Sequence, residues 1–224
     1  MCGRYSVVID EAKLRKQFSR ELVHPDGGLK ANYNMAPTQD GLVITDQAPD
    51  RLSSFRWGLV PFWAKDLGIG ARMINARSEG IEDKPSFRKP IRERRCLVIG
   101  DSFYEWQRKD GKKTPFRIMP ADEQLLVMAG IWEEWRPKDG GDTVFTYSVI
   151  TGAPNAEMQP IHDRMPMLLL DDEMQSQWLD PNAALPDILG LLRTPPDGTL
   201  RPYAVSSKVG NVRNNGPELH ERVN

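Results

Sequence analysis

The sequence has 224 residues, 39% apolar and 27% charged, with a formal net charge of −1. That profile fits a folded globular chain and excludes a disordered or membrane-embedded one, since no run approaches the roughly 20 apolar residues of a spanning helix. Its only cysteines, Cys2 and Cys96, form no CxxC pair, which excludes disulfide scaffolds and zinc ribbons.

In chain order, Leu14, Phe18 and Leu22 recur at every fourth position and predict a helix from Asp10 to Leu22, stopped by Pro25 and Gly27-Gly28. Short apolar or alternating runs then predict strands at Leu42–Thr45, Leu52–Trp57, Cys96–Ile99, Phe116–Met119, Leu125–Trp132, Val144–Thr151 and Met167–Leu170. The runs Phe116–Met119 and Leu125–Trp132, split by Pro120-Ala121-Asp122-Glu123, are expected to pair as a hairpin. Asp171 or Asp172 is placed to cap a helix carrying Met174 and Trp178, and Leu185–Leu192 predicts another, ended by Pro195-Pro196. Strands dominate, do not alternate with helices, and show no internal repeat. The expectation is a β-rich single α+β domain over residues 1–224, built on a curved antiparallel sheet.

The near-zero net charge hides an asymmetry. Arg72 to Arg117 carries 13 Lys/Arg against 7 Asp/Glu, whereas Ile118 to Leu200 carries 4 against 14. This reads either as solvated faces of opposite sign or as a basic cleft for a polyanion with an acidic face turned away. The N-terminus has neither a signal core nor an Arg-rich transit pattern, so the expected location is the cytoplasm.

Several clusters can carry chemistry. Cys2 is small enough for methionine aminopeptidase to remove Met1, leaving a terminal 1,2-aminothiol. An α-amino group has a pKa near ~7.7–8.0, so much of it is a neutral nucleophile at pH 7. Its nitrogen can form a Schiff base with an aldehyde, and the thiol can then close a five-membered thiazolidine. Glu105, within Phe103-Tyr104-Glu105-Trp106, is flanked by aromatics that favour proton transfer by partial desolvation. His162 alone among the histidines lies between charged neighbours before an apolar run. Asn75-Ala76-Arg77-Ser78-Glu79 groups an amide, a phosphate-suited guanidinium and a carboxylate. Trp57-Gly58-Leu59-Val60-Pro61-Phe62-Trp63 offers a stacking platform for unstacked bases if exposed, and core if buried. Each cluster also has a plainer reading: a small terminal residue, a strand-end carboxylate, a buried structural histidine, a salt-bridge scaffold. No metal-ligand spacing and no phosphate-loop, dinucleotide or esterase pattern is present, so no metal and no cofactor is expected.

In register, Met1-Cys2-Gly3-Arg4-Tyr5, Tyr33-Asn34-Met35-Ala36-Pro37, the Trp57–Trp63 loop, Asn75-Ala76-Arg77-Ser78-Glu79, Arg95-Cys96-Leu97-Val98, Phe103-Tyr104-Glu105-Trp106, His162-Asp163-Arg164-Met165-Pro166 and Val209 to Leu219 resemble the SOS-response-associated peptidase family over nearly the whole chain. The resemblance implies an antiparallel pseudo-barrel with peripheral helices and a sensor of abasic sites in single-stranded DNA. In that family the mature terminal cysteine crosslinks to the ring-opened sugar, with associated lyase activity and proposed self-removal of the first Met. By position, Cys2 would supply amine and thiol, Glu105 would shuttle protons and His162 would assist loss of water. Asn75 would hold the cysteine and sugar. Arg4, Arg77 and Arg164 would grip phosphates, while Asn34, Pro37, Trp57 and Trp63 would shape the strand path.

The implied setting is a monomer on single-stranded DNA, associated with the nucleoid and with replication-fork proteins, and not with a membrane. Ser102 departs from a usual Gly. A positive φ there would cost about 1 kcal/mol and tilt Glu105. Met35 in place of a usual Val is expected to be harmless. Two other readings use the same residues: a thiol peptidase or amidohydrolase built on Cys2, and a non-covalent single-strand binder. The covalent reading requires Cys2 to lie near Glu105 and His162 and within reach of a strand.

Overall fold

Alternating and continuous apolar runs fold into a structure that is mostly sheet; it is a computed structural model and describes residues 2–18, 21–25 and 28–223. In chain order the elements are β1 (Tyr5–Val7), α1 (Glu11–Phe18), β2 (Asn32–Met35), β3 (Asp40–Thr45), β4 (Ala48–Trp57), β5 (Asn75–Arg77), α2 (Pro90–Glu93), β6 (Arg95–Gly100), β7 (Ser102–Lys109), β8 (Lys112–Pro120), β9 (Leu126–Trp135), β10 (Val144–Gly152), β11 (Met165–Pro166), α3 (Asp172–Leu179), α4 (Leu185–Leu191) and β12 (Leu200–Ala204).

Strands β4, β3, β6, β9 and β10 close into a barrel, because β10 pairs both with β9 and with β4. Closure removes free edges. It also makes one correction: the sheet is antiparallel except where β10 runs parallel to β4 and, further along, to β5. Gly41 on β3 is needed for this packing, since a Cβ there would lie 2.2 Å from the Tyr5 and Tyr147 hydroxyls. Those hydroxyls meet at 2.5 Å in the core.

The second sheet has the order β12-β8-β7-β1-β2 and leans on the barrel through β1 and β6. Its long hairpin, β7–β8, turns at Asp110-Gly111, both with positive φ (51° and 74°), as a tight two-residue turn demands. The expected hairpin between Phe116–Met119 and Leu125–Trp132 does not form. β8 pairs with β7 and β12, and β9 pairs with β6 and β10. The β9 run is buried along nearly its whole length, which suits a barrel strand covered on both faces. Pro120 to Glu123 therefore carries the chain from one sheet to the other.

The remaining expectations mostly hold. Asp171 caps α3, its carboxylate accepting the Met174 N–H at 2.8 Å, and Trp178 is buried below. α1 ends at Phe18, short of the predicted Leu22; residues 19 and 20 and the Gly27 stop lie outside the described residues. Met167–Leu170 contributes an isolated bridge at Leu168 instead of a strand. Arg95 is fully buried and donates to the carbonyls of Ile91, Arg92, Trp178 and Asp180, tying the ends of α2 and α3 to the barrel. The result is a single α+β domain with a sheet core and few helices. No helix among the described residues is long and apolar enough to cross a membrane.

Candidate nucleic-acid interface and covalent site

The chain before β1 runs beside β7. Tyr5 pairs with Phe103, and the Tyr104 N–H donates to the Arg4 carbonyl at 2.9 Å. That register carries Cys2 toward Glu105. From the barrel side, β5 begins at Asn75, whose Nδ2 donates to the Cys2 carbonyl at 2.8 Å. Trp57 fixes Asn75 from below: its indole N–H donates to the Ile74 carbonyl at 2.9 Å. The segment joining β10 to β11 supplies His162, and Gln107 on β7 pins that segment by donating to the Pro160 carbonyl at 3.0 Å. Two sheets thus deliver four groups to one place.

Cys2 is fully buried, and Glu105 is 3% exposed. Burial first, and then the charge of Glu105, push the Cys2 thiol well above its ordinary range, so it stays protonated at neutral pH. The Asn75 Oδ1 acceptor is buried with no hydrogen-bond partner among the described residues, an opening for a ligand donor. His162 Nδ1 accepts the Arg164 N–H at 3.0 Å and lies 2.8 Å from the Asp163 carboxylate. Its Nε2 lies 3.9 Å from Glu105 Oε2. Cys2, Asn75, Glu105 and His162 therefore come together. One expectation is corrected: Cys2 is near its partners but not open to a strand in the described chain. Met1 lies outside the described residues.

The predicted strand-contacting residues divide. Arg77 is exposed at the end of β5, Pro37 is half-buried, and Trp63 is 47% exposed beside Phe62 at 59%. These can meet a strand. Trp57 cannot, being fully buried against Tyr5 with ring centroids 5.0 Å apart, so its role moves to positioning Asn75. Asn34 is also corrected. At 1% exposure its amide donates to the carbonyls of Val209, Asn211 and Asn214, holding the C-terminal segment on β2.

Arg4 is half-committed. It donates to Asn34 Oδ1 at 2.6 Å and the Val209 carbonyl at 2.8 Å, and stacks over Trp106 at 5.9 Å. Arg164 is engaged with Glu79 through a fork of two bonds, 2.6 and 2.9 Å, and with the Thr151 carbonyl. That guanidinium holds the Glu79 carboxyl down at about 2. A phosphate reaching Arg164 must therefore compete with Glu79. The expected strain at Ser102 is absent: it sits in β7, outside the positive-φ residues, and bonds to Ser6 and Arg117. Sequence reasoning missed Thr151, Gln107 and Thr38. Only strand register brings the first two to the site. Thr38, with φ 72°, is betrayed by nothing but its place after Pro37.

A buried cysteine beside a carboxylate, an amide and an imidazole, with Arg4, Arg77 and Arg164 on the segments that carry them, defines a thiol-centred site on a strand-rich barrel. Comparison with known proteins gives the site its relatives. The SOS response associated peptidase (SRAP) family model matches residues 1–212, and the chain belongs to that family. It is 44% identical to the abasic site processing protein YoqW of Bacillus subtilis, with 99% of each chain covered. It is 32% identical to the abasic site processing protein HMCES of Gallus gallus, over 97% of this chain and 76% of that one. Among solved structures, a crystal structure of a protein from Bacteroides thetaiotaomicron superposes with a TM-score of 0.88 at 28% identity, covering 99% and 100% of the two chains.

Proposed function

We propose that this protein captures abasic sites in single-stranded DNA through a covalent bond to Cys2. The observation that carries the reading is the convergence of Asn75 and Glu105 on Cys2, in a family whose relatives are named for abasic-site processing. Its premise is loss of Met1, which frees the Cys2 amine. Self-removal of Met1, with water as co-reactant, is a single maturation event in keeping with the family's description as peptidases.

The neutral amine attacks the aldehyde carbon of the ring-opened sugar. A C–N bond forms, Glu105 takes the proton shed by nitrogen, and the former carbonyl oxygen leaves as water, protonated through Glu105 and His162. The thiol then adds to the imine carbon. A C–S bond forms and the S–H proton passes to nitrogen, closing a thiazolidine. A thiol kept protonated by its surroundings fits this order, because it brings its own proton to the second step and does not compete in the first. The Schiff base is also the species from which β-elimination proceeds, so strand scission and reversal belong to the same proposal. Arg77 and Trp63, with the uncommitted donors of Arg4, line the approach of the strand. The setting we infer is a cytoplasmic monomer acting on single strands near the nucleoid and at replication forks.

Intact-mass spectrometry after incubation with an abasic oligonucleotide tests this. The expected result is a chain lacking Met1 that gains the oligonucleotide mass, no adduct for Cys2→Ala, and only a borohydride-trapped adduct for Cys2→Ser. No adduct with a chain shown to lack Met1 sinks the covalent reading.

A further inference from the structure

Beyond Glu105 the hairpin β7–β8 projects four cations at its tip: Arg108, Lys109, Lys112 and Lys113, all exposed. The register sets Arg108 directly opposite Lys113 and Lys109 directly opposite Lys112. Like charges facing each other across a ladder destabilise it. Among the described residues none of the four forms an ion pair. Apart from the Trp106 ring under Lys113, the described residues give these four charges no stabilising partner, and a cost so carried points to an external anion.

The strand's two-residue period places Glu105, Gln107 and Lys109 on one face and Trp106 and Arg108 on the other. The first face leads from the covalent site to Lys109 and Lys112. On the other face Lys113 stacks over Trp106 at 5.2 Å, and Arg4 lies on the same ring. Both faces therefore connect the site to the tip. At about 3.3 Å per residue, Lys109 lies roughly 13 Å beyond Glu105. With ~3.4 Å per nucleotide along a stacked strand, that is about four nucleotides from the lesion.

We propose that the β7–β8 hairpin tip is a phosphate-backbone clamp, gripping the DNA strand about four nucleotides to one side of the abasic sugar. This deepens the abasic-capture reading and rests on it. The clamp makes capture depend on flank length on that side, and the bound phosphates relieve the cross-strand repulsion that the free protein bears.

The test compares wild type with the variant Arg108→Gln, Lys109→Gln, Lys112→Gln, Lys113→Gln. Abasic oligonucleotides with one or six flanking nucleotides on the 5′ side, the 3′ side or both are crosslinked at sub-saturating concentration. Wild type is expected to favour the longer flank about tenfold on one side only, and the variant to show a ratio near one. On a Cys2→Ala background, binding to intact single strand should lose about 0.7 in the slope of log K against log[salt] for each phosphate contact removed. The variant's melting temperature should equal or exceed that of wild type. Equal flank ratios in the two proteins, an unchanged salt slope, or a variant that melts lower overturns the clamp. Wild type failing to crosslink any of the oligonucleotides overturns the capture chemistry instead, and leaves the salt-slope comparison to judge the clamp.

Discussion

The buried half of strand β7, Ser102–Glu105, carries polar groups at both ends, and the two ends are built on different principles. At its start, Asp101, Ser102 and Arg117 form a network closed on itself. Arg117 donates to Asp101 and Ser102 at 2.7 Å each and to the Tyr203 hydroxyl. Asp101 also accepts the Val8 N–H at 2.7 Å, and Ser102 meets Ser6 at 2.5 Å. Toward its other end, Glu105 faces Cys2 across a site where Asn75 Oδ1 is buried with no partner among the described residues. A satisfied network rigidifies and specifies the fold; an unfilled acceptor beside a nucleophile waits for a ligand. Only Phe103 and Tyr104 separate the two.

Breaking the closed end should give the largest change in stability. Asp101→Ala leaves Arg117, 11% exposed, without its carboxylate, and is expected to cost about 3–5 kcal/mol in chemical denaturation. Adduct formation by the molecules that remain folded should persist. If Asp101→Ala abolishes capture without lowering stability, the two ends are one functional unit and the contrast fails.

Asn75→Ala addresses the open end. It removes one hydrogen bond to the Cys2 carbonyl, so stability should fall by about 1 kcal/mol. The rate of adduct formation should fall about a hundredfold, which is ~2.7 kcal/mol of barrier. A stability loss larger than the rate loss, expressed in the same units, would make Asn75 a structural residue.

The closed end has one loose member, which gives a pH signature. His220 packs edge-on to Tyr33 at 4.8 Å, and its Nε2 is buried without a hydrogen-bond partner. Burial first, then the charge of Arg117, lower its pKa from 6.5 to about 4, although Asp101 pulls the other way. The unfolded chain therefore binds more protons than the folded one between those values. The stability due to neutral His220 is complete above pH 6.5 and lost as pH falls to 4. His220→Phe should flatten the stability profile in that window. Glu79, held at about 2 against an ordinary 4.5, keeps its contribution above pH 4.5 and loses it only below, so its titration is separable. A profile for His220→Phe that still falls between pH 6.5 and 4 would assign the slope to another group.

Much of the fold was legible in the sequence because local pattern and burial agree there. The barrel runs Leu42–Thr45 and Cys96–Ile99 are mostly continuous and apolar, Val144–Thr151 alternates in part, and Asp171 signals α3 through its side chain alone. The failed hairpin has a topological cause: β8 pairs with β7 across Asp110-Gly111 and with β12 on its other side, which leaves it no edge for β9. The site was legible as chemistry, in Cys2, Glu105, His162 and Asn75, because reactive groups announce themselves by type. Burial could not be read. Trp57 and Asn34 look like ligand contacts in sequence, yet one supports Asn75 through the Ile74 carbonyl and the other anchors the C-terminal segment. Arg164 looked available, but its Glu79 partner lies 85 residues away.

The smallest expected effect tests whether strain belongs to the open end as well. Thr38 follows Pro37 with φ 72°, a backbone state that a β-branched residue rarely adopts, and its N–H donates to the Trp57 carbonyl at 2.8 Å. Relief of that strain in Thr38→Gly is worth about 1–2 kcal/mol, against ~0.4–1 kcal/mol of added unfolded-chain entropy. The net expectation is a stability gain of about 0.5–1 kcal/mol by denaturant midpoint. If the strain holds Pro37 at the strand path, capture by this more stable variant should slow several-fold. A gain in stability with undiminished capture would place the strain outside the site, and confine the open end to Cys2, Asn75, Glu105 and His162.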